Sequence, residues 1–200
     1  MKRYGIFTVL ILAILAAAPG TFAQSPQDRF WADLQKLCGK AFAGTIAEDT
    51  ANSPDFAGKA LVMHVRSCEK NRIRIPFFVG DDRSRTWVLR RRGDRIELKH
   101  DHRHEDGKPD KVTMYGGTTN NPGEPTRQFF PADAETTRVV ALPQGNAPSA
   151  AANIWWIEHV AGEYFTYNLR RLASPRLFTV KFDLTKPVAA PAPPWGWTDK

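Results

Sequence analysis

The spacing of apolar positions changes twice along the chain. Residues 6–18 form an unbroken apolar run, residues 25–38 repeat apolar positions at helical spacing, and from Ala41 onward short runs alternate apolar and polar. The middle stretch predicts one short helix. Ser25 can cap free amides and Pro26 suits a first helical turn. Phe30, Leu34, Leu37 and Cys38 line one face, and Gly39 supplies a left-handed stop. The alternating part is rich in β-branched and aromatic residues punctuated by Gly, Pro, Asn and Asp. It predicts strands near 41–47, 59–68, 72–79, 85–91, 95–104, 111–116, 126–130, 136–142, 154–160, 163–171 and 175–184. Tight joints at 92–94, 106–107 and 161–162 imply antiparallel neighbours, while 116–125 and 143–153 read as true loops.

So many strands in sequential order need a closed or nearly closed sheet, because closure removes adhesive edges. The expected fold is all-β: an antiparallel up-and-down β-barrel preceded by a short helix. A β-sandwich is the alternative, since local pattern does not separate closure from two packed sheets. The stretch Leu37, Cys38, Gly39, Lys40, Ala41, Phe42, Ala43, Gly44, followed by a meander, resembles the calycin superfamily of lipocalin-like barrels. Phe42 stands near the place where those barrels commonly carry a tryptophan. Val62, Met63, His64, Val65 and Arg66, with the runs 98–107 and 111–117, are similar to a group of exported bacterial proteins of unknown function, and that resemblance implies no activity.

The first apolar run changes the picture of where the domain works. Lys2 and Arg3 precede it, and it is shorter than the roughly 20 residues that span a bilayer. Pro19 and Gly20 then break a helix, and Thr21 and Ala23 place small residues before a cut ahead of Gln24. This reads as a signal peptide over 1–23, then a single barrel domain over 24–186 and a Pro-rich tail over 187–200 in which Trp195 and Trp197 could anchor to the surface. The expected location is periplasmic or secreted, with no stable membrane insertion after cleavage. Removing 23 of 200 residues, and with them Lys2 and Arg3, leaves 177 residues and lowers the formal charge from +7 to +5. That charge favours anionic partners loosely, and export argues against nucleic acid. Cys38 and Cys68 are the only cysteines, so in an exported chain they are expected to pair. Closing that loop stabilises the fold by ~3.6 kcal/mol in the chain-entropy treatment.

Candidate chemistry concentrates at 95–105. At a period of two, Ile96, Leu98, His100, His102 and His104 share one face, and Glu97, Lys99, Asp101, Arg103 and Glu105 the other. The histidines therefore point with the aliphatics, toward the core. Buried imidazoles need partners. Histidines two apart on a strand have Cα atoms ~7 Å apart, within reach of one metal ion. One reading makes His100 and His102 ligands of zinc or haem, with His104, His64 or His159 as third ligand. The glutamate that a cupin-type site wants after the second histidine is absent. The other reading is a polar network lining a wet cavity, in which His100, His102, His104, Trp87 and Met114 contact a ligand.

The arginines at 83, 85, 90, 91, 92 and 95 offer a polyanion surface or, with Asp81, Asp82, Asp94 and Glu97 among them, a solvated hairpin. Asp81 and Asp82 lack the spaced oxygen ligands of a calcium loop. No phosphate-cradling glycine loop, nucleophile-elbow serine or catalytic cysteine context occurs, so no catalytic residue is assigned. The leading expectation is a lipocalin-like protein binding a small apolar or amphipathic ligand in a cavity lined partly by histidine. Metal or haem binding on the histidine strand and a non-catalytic interaction module are the alternatives.

Overall fold

The structure is a computed structural model that describes Met1 and residues 23–141 and 148–198. The expected leader, apart from Met1 and Ala23, and residues 143–147 of the expected second loop lie outside the described residues. Among the described residues no helix is long and apolar enough to cross a membrane.

Helix α1 (Pro26–Gln35) starts where the sequence predicts. Ser25 Oγ accepts from the Asp28 amide at 3.1 Å, and the Asp28 carboxylate accepts from the Ser25 amide at 3.3 Å, a reciprocal capping box. Phe30, Trp31 and Leu34 are buried, and Gly39, at φ +80°, turns the chain into the first strand. The strands are β1 (Ala41–Asp49), β2 (Leu61–His64), β3 (Ser67–Glu69), β4 (Arg72–Val79), β5 (Asp82–Arg92), β6 (Arg95–His102), β7 (Tyr115–Thr118) and β8 (Arg127–Pro131). After helix α2 (Ala134–Val140) and a 3-10 turn (Pro148–Ala152) come β9 (Asn153–Val160), β10 (Tyr164–Arg171) and β11 (Leu177–Val188).

Every pairing is antiparallel. The sheet runs β7-β6-β5-β4-β2-β1-β11-β10-β9-β8, with β3 continuing β2 along β4, so the last strand returns to pair with the first. This is a nearly closed, ten-strand up-and-down barrel, and the sandwich alternative falls because the ladder is continuous from β7 round to β8. Only the seam between β7 and β8 lacks a full ladder. It is closed by a bridge between Gly117 and Ala132 and by the Asp133 amide donating to Gly116 O at 3.1 Å. The seam requires glycine at 117, where a Cβ would lie 1.9 Å from Pro131 O of β8, and on the other side of β7 a Cβ at Gly116 would lie 1.9 Å from Leu98 O of β6.

The strand expected at 136–142 is corrected: residue 142 lies outside the described residues, and residues 136–140 belong to helix α2. Its β-branched residues suit a strand, but Asp133 accepts from the Thr136 amide at 2.9 Å and caps a helix instead. Thr136 and Val140, one helical turn apart, are the residues it buries. α2 also changes the outer face of β6. Lys99, expected in solvent with its charged neighbours, is 2 % exposed and donates to Asp133 at 2.7 Å and to Glu135 at 2.6 Å.

The Cys38–Cys68 disulfide is present, with Cα atoms 6.1 Å apart, and joins the end of the α1 region to β3. β11 extends to Val188, past the expected start of the tail. Beyond it the chain lies along the outer wall: the Trp195 amide donates to Arg83 O at 3.1 Å, and the guanidinium carbons of Arg66 and Arg74 stand 5.2 and 5.5 Å from the Trp197 ring centre.

The two ends of the bore differ. α1 plugs one end, packing Phe30, Trp31, Leu34 and Leu37 into the same core as Met63, Ile73 and Ile157. Arg91, which shares the inward face of β5, meets Asp28 of α1 there. At mid-height Trp87 on β5 stacks on Tyr167 of the opposite strand β10, with centroids 4.4 Å apart and planes at 12°. That pair, flanked by Phe77 and Phe165, forms a floor across the bore. The half beyond it is not filled.

Candidate functional site

The open half of the bore is a cavity of about 320 Å³. That is the small end of the roughly 300–1,000 Å³ range of ligand pockets. Its floor and walls are aromatic: Trp87, Tyr167, Phe77, Tyr115, Trp155 and Phe178, with Phe56 from the β1–β2 loop at its edge. Strand register explains the grouping. Ile75, Trp87, His100 and Tyr115 lie opposite one another across β4, β5, β6 and β7, so one inward layer carries all four side chains. One step toward the open end, Arg85 faces His102. Val140 of α2 and Ala150 of the 3-10 turn border the mouth.

His100 is held from both sides. Its Nδ1 lies 3.0 Å from Tyr115 O, and since a carbonyl only accepts, Nδ1 carries the proton. Nε2 therefore accepts from the Tyr167 hydroxyl at 2.6 Å, a bond that crosses the bore from β6 to β10. Burial pushes His100 down to about 3, so the ring is neutral. His102 Nε2 pairs with the Tyr115 hydroxyl at 3.1 Å, and burial, aided by the Arg85 charge, pushes this histidine down to about 4. Burial raises Tyr115 to about 12, and raises Tyr167 as well. These four side chains form one uncharged polar network at and above the floor.

Of the residues expected at the site, the structure brings Trp87, His100 and His102 into one lining. His104 lies elsewhere. β6 ends at His102, and a turn in which the His104 amide donates to Lys108 O at 2.9 Å carries this side chain into solvent. Met114 does not line the cavity. It occupies a left-handed position (φ +57°) just before β7, and its neighbours Val112 and Tyr115 reach the lining instead.

The candidate third metal ligands are dispersed. His64 neighbours the inward Met63 on β2 and lines a groove on the outer wall, and His159 is buried at the α1 end with neither ring nitrogen hydrogen-bonded. Among the described residues no three His, Cys, Asp or Glu side chains converge. Both nitrogens of His100 are already engaged. Among the described residues the zinc reading thus finds no converging set of three ligands.

The cavity also holds residues that sequence reasoning did not single out for it. Arg85, Arg171 and Arg176 line it, and among the described residues no aspartate or glutamate does. Arg85 pairs with Asp82, and Arg176 with Asp49, both from outside the lining. Arg171 donates from Nε to Asn153 Oδ1 at 2.9 Å. A signal existed in the sequence: Arg85 lies two positions before Trp87, and Arg171 four after Tyr167, so each shares its aromatic neighbour's face. The tyrosine partners of the histidines gave no local sign, because they arrive from β7 and β10.

No family model matches this chain, and neither does any curated protein or solved structure with which it was compared. Its chemistry is therefore read from geometry.

The outer wall carries two further surfaces. A groove of about 760 Å³ on the outer wall lies under the tail and contains Arg66, Arg72, Arg74 and Arg103 together with Glu69 and Asp101. On the opposite wall Phe129 stacks against Trp156 with centroids 6.0 Å apart, and Leu172 is exposed beside them. Trp155 and Trp156 face opposite ways, as adjacent strand residues must, with Trp155 inside the bore.

Proposed function

We propose that this protein is an exported, lipocalin-like carrier that holds a small apolar or amphipathic molecule in the open half of its bore. The observation that supports it is the unfilled cavity above the Trp87–Tyr167 floor, walled by aromatic rings and furnished with a few fixed polar groups. Such a site buries an apolar body against rigid rings at little entropic cost, and the polar groups orient it. The role of His100 and His102 is positional. They tie β6 to β7 and β10 and so keep the cavity open and uncharged at its base. The disulfide supports maturation in an oxidising compartment.

The test is titration of the purified protein with the neutral dye N-phenyl-1-naphthylamine. Saturable fluorescence enhancement is expected, together with its loss in Leu169→Trp, which fills the cavity from β10. Absence of saturable enhancement with the wild-type protein overturns the proposal.

A further inference from the structure

The charge in the cavity is one-sided, and its distribution says what the polar end of a ligand must be. Among the described residues three guanidinium groups line the site and no carboxylate does. Two of the three are neutralised from behind. Asp82 holds Arg85, whose guanidinium carbon stands 5.9 Å from the Phe56 ring centre, and Asp49 holds Arg176, 5.7 Å from that of Phe178. These two are fixed, balanced and spread over aromatic faces.

Arg171 is different. Among the described residues the one hydrogen-bond partner of its guanidinium is the neutral amide oxygen of Asn153, which is itself buried. That bond takes Nε and sets the plane of the guanidinium, leaving both terminal nitrogens to donate. The remaining polar groups at the base do not balance it, because His100 and His102 are neutral and the tyrosine hydroxyls stay protonated. The Asp110 carboxylate is felt at His102 and Tyr115 on the far side of the network, from outside the lining. Among the described residues Arg171 is therefore the one lining guanidinium with no carboxylate paired to it, a planar two-pronged donor held at the mouth of an aromatic slot.

We infer that the ligand is an amphipathic monoanion, an aromatic or other compact apolar body with a single carboxylate, whose head group is bound by Arg171. A carboxylate matches the planar fork and accepts two parallel hydrogen bonds, and one negative charge matches the one guanidinium that has no carboxylate paired to it. A dianionic head would leave a net negative charge among the rings, and a cationic head would meet three arginines. The apolar body lies against Trp87, Tyr167 and Trp155. This inference rests on the cavity being the binding site.

The experiment compares naphthalene-2-carboxylate with the isosteric, uncharged naphthalene-2-carboxamide by calorimetric titration of the full chain. A hydrogen-bonded charge pair separates the two by about tenfold or more in affinity, so the carboxylate is expected to bind the wild-type protein at least that much more tightly. Arg171→Gln is expected to abolish the difference by weakening the carboxylate alone, and Arg171→Lys, which keeps the charge and loses the fork, to fall between. Equal affinities in the wild-type protein, or equal weakening of both compounds by Arg171→Gln, overturn the inference and leave the cavity reading standing. Failure of both compounds and of the neutral dye to bind overturns the cavity reading, and the inference with it.

Discussion

At the scale of single residues, the site depends on how buried polar atoms find partners. Unpaired, the imidazole of His100 would cost several kcal/mol at the centre of an aromatic bore. Tyr115 O and the Tyr167 hydroxyl remove that cost from two different strands. Tyr167→Phe deletes one partner and leaves Nε2 buried and unsatisfied, so a loss of about 1–3 kcal/mol is expected in urea unfolding. The double variant with His100→Leu should cost less than the sum of the two single changes, because it removes both partners of the bond and leaves neither Nε2 nor the hydroxyl orphaned. Strict additivity would mean that the hydrogen bond is not what couples them. The histidine face was legible in the sequence as far as His102 from its period of two. It failed at His104 because the strand ends one residue pair too early, and nothing local marks that end.

At the scale of elements, the seam between β7 and β8 is the weakest join in the barrel, since it has a bridge where every other pair of neighbours has a ladder. Closure there depends on backbones approaching more closely than side chains allow. Gly117→Ala places a Cβ where Pro131 O already lies, so the seam must open. We expect a destabilisation of at least about 2 kcal/mol, the range of forced overpacking, with faster amide exchange confined first to β7 and β8. Unchanged exchange in those strands would contradict the seam. The same region explains the misread element. Residues 136–142 look like a strand by composition, yet a capped helix there places Thr136 against the Gly116 backbone, bonding both its amide and its carbonyl at 2.6 Å, and brings Asp133 and Glu135 onto Lys99. Tertiary contacts outweigh a propensity difference of tenths of a kcal/mol per residue.

At the scale of the whole molecule, buried histidines couple the fold to pH. Burial lowers His64, His100, His102 and His159 in the folded state, His100 to about 3 and His102 to about 4, against about 6.5 when unfolded. Their contribution is complete above the unfolded value. It is lost as pH falls from about 6.5 through the folded values, because the unfolded chain takes up protons that the folded one refuses. By pH 5, His100 and His102 each cost about 2 kcal/mol. Urea midpoints measured between pH 7.5 and 5 should therefore fall steeply, and His102→Gln should flatten the slope by about one proton. A pH-independent midpoint across that interval would refute this.

The local order of the chain determined a good deal by itself. Period-two alternation and turn residues specify antiparallel neighbours, the Ser25–Pro26 pair starts a helix, and a chain with two cysteines has one bridge it can form, because each depends on residues adjacent in sequence or on a count. Which inward side chains share one layer was decided by strand register across the barrel, and the bore joins strands that are distant in sequence. Only closure brings Trp87 over Tyr167, sets that tyrosine against His100, and gathers Arg85, Arg171 and Arg176 at one mouth. A cavity and its net charge belong to the closed sheet as a whole, since no single strand encloses space.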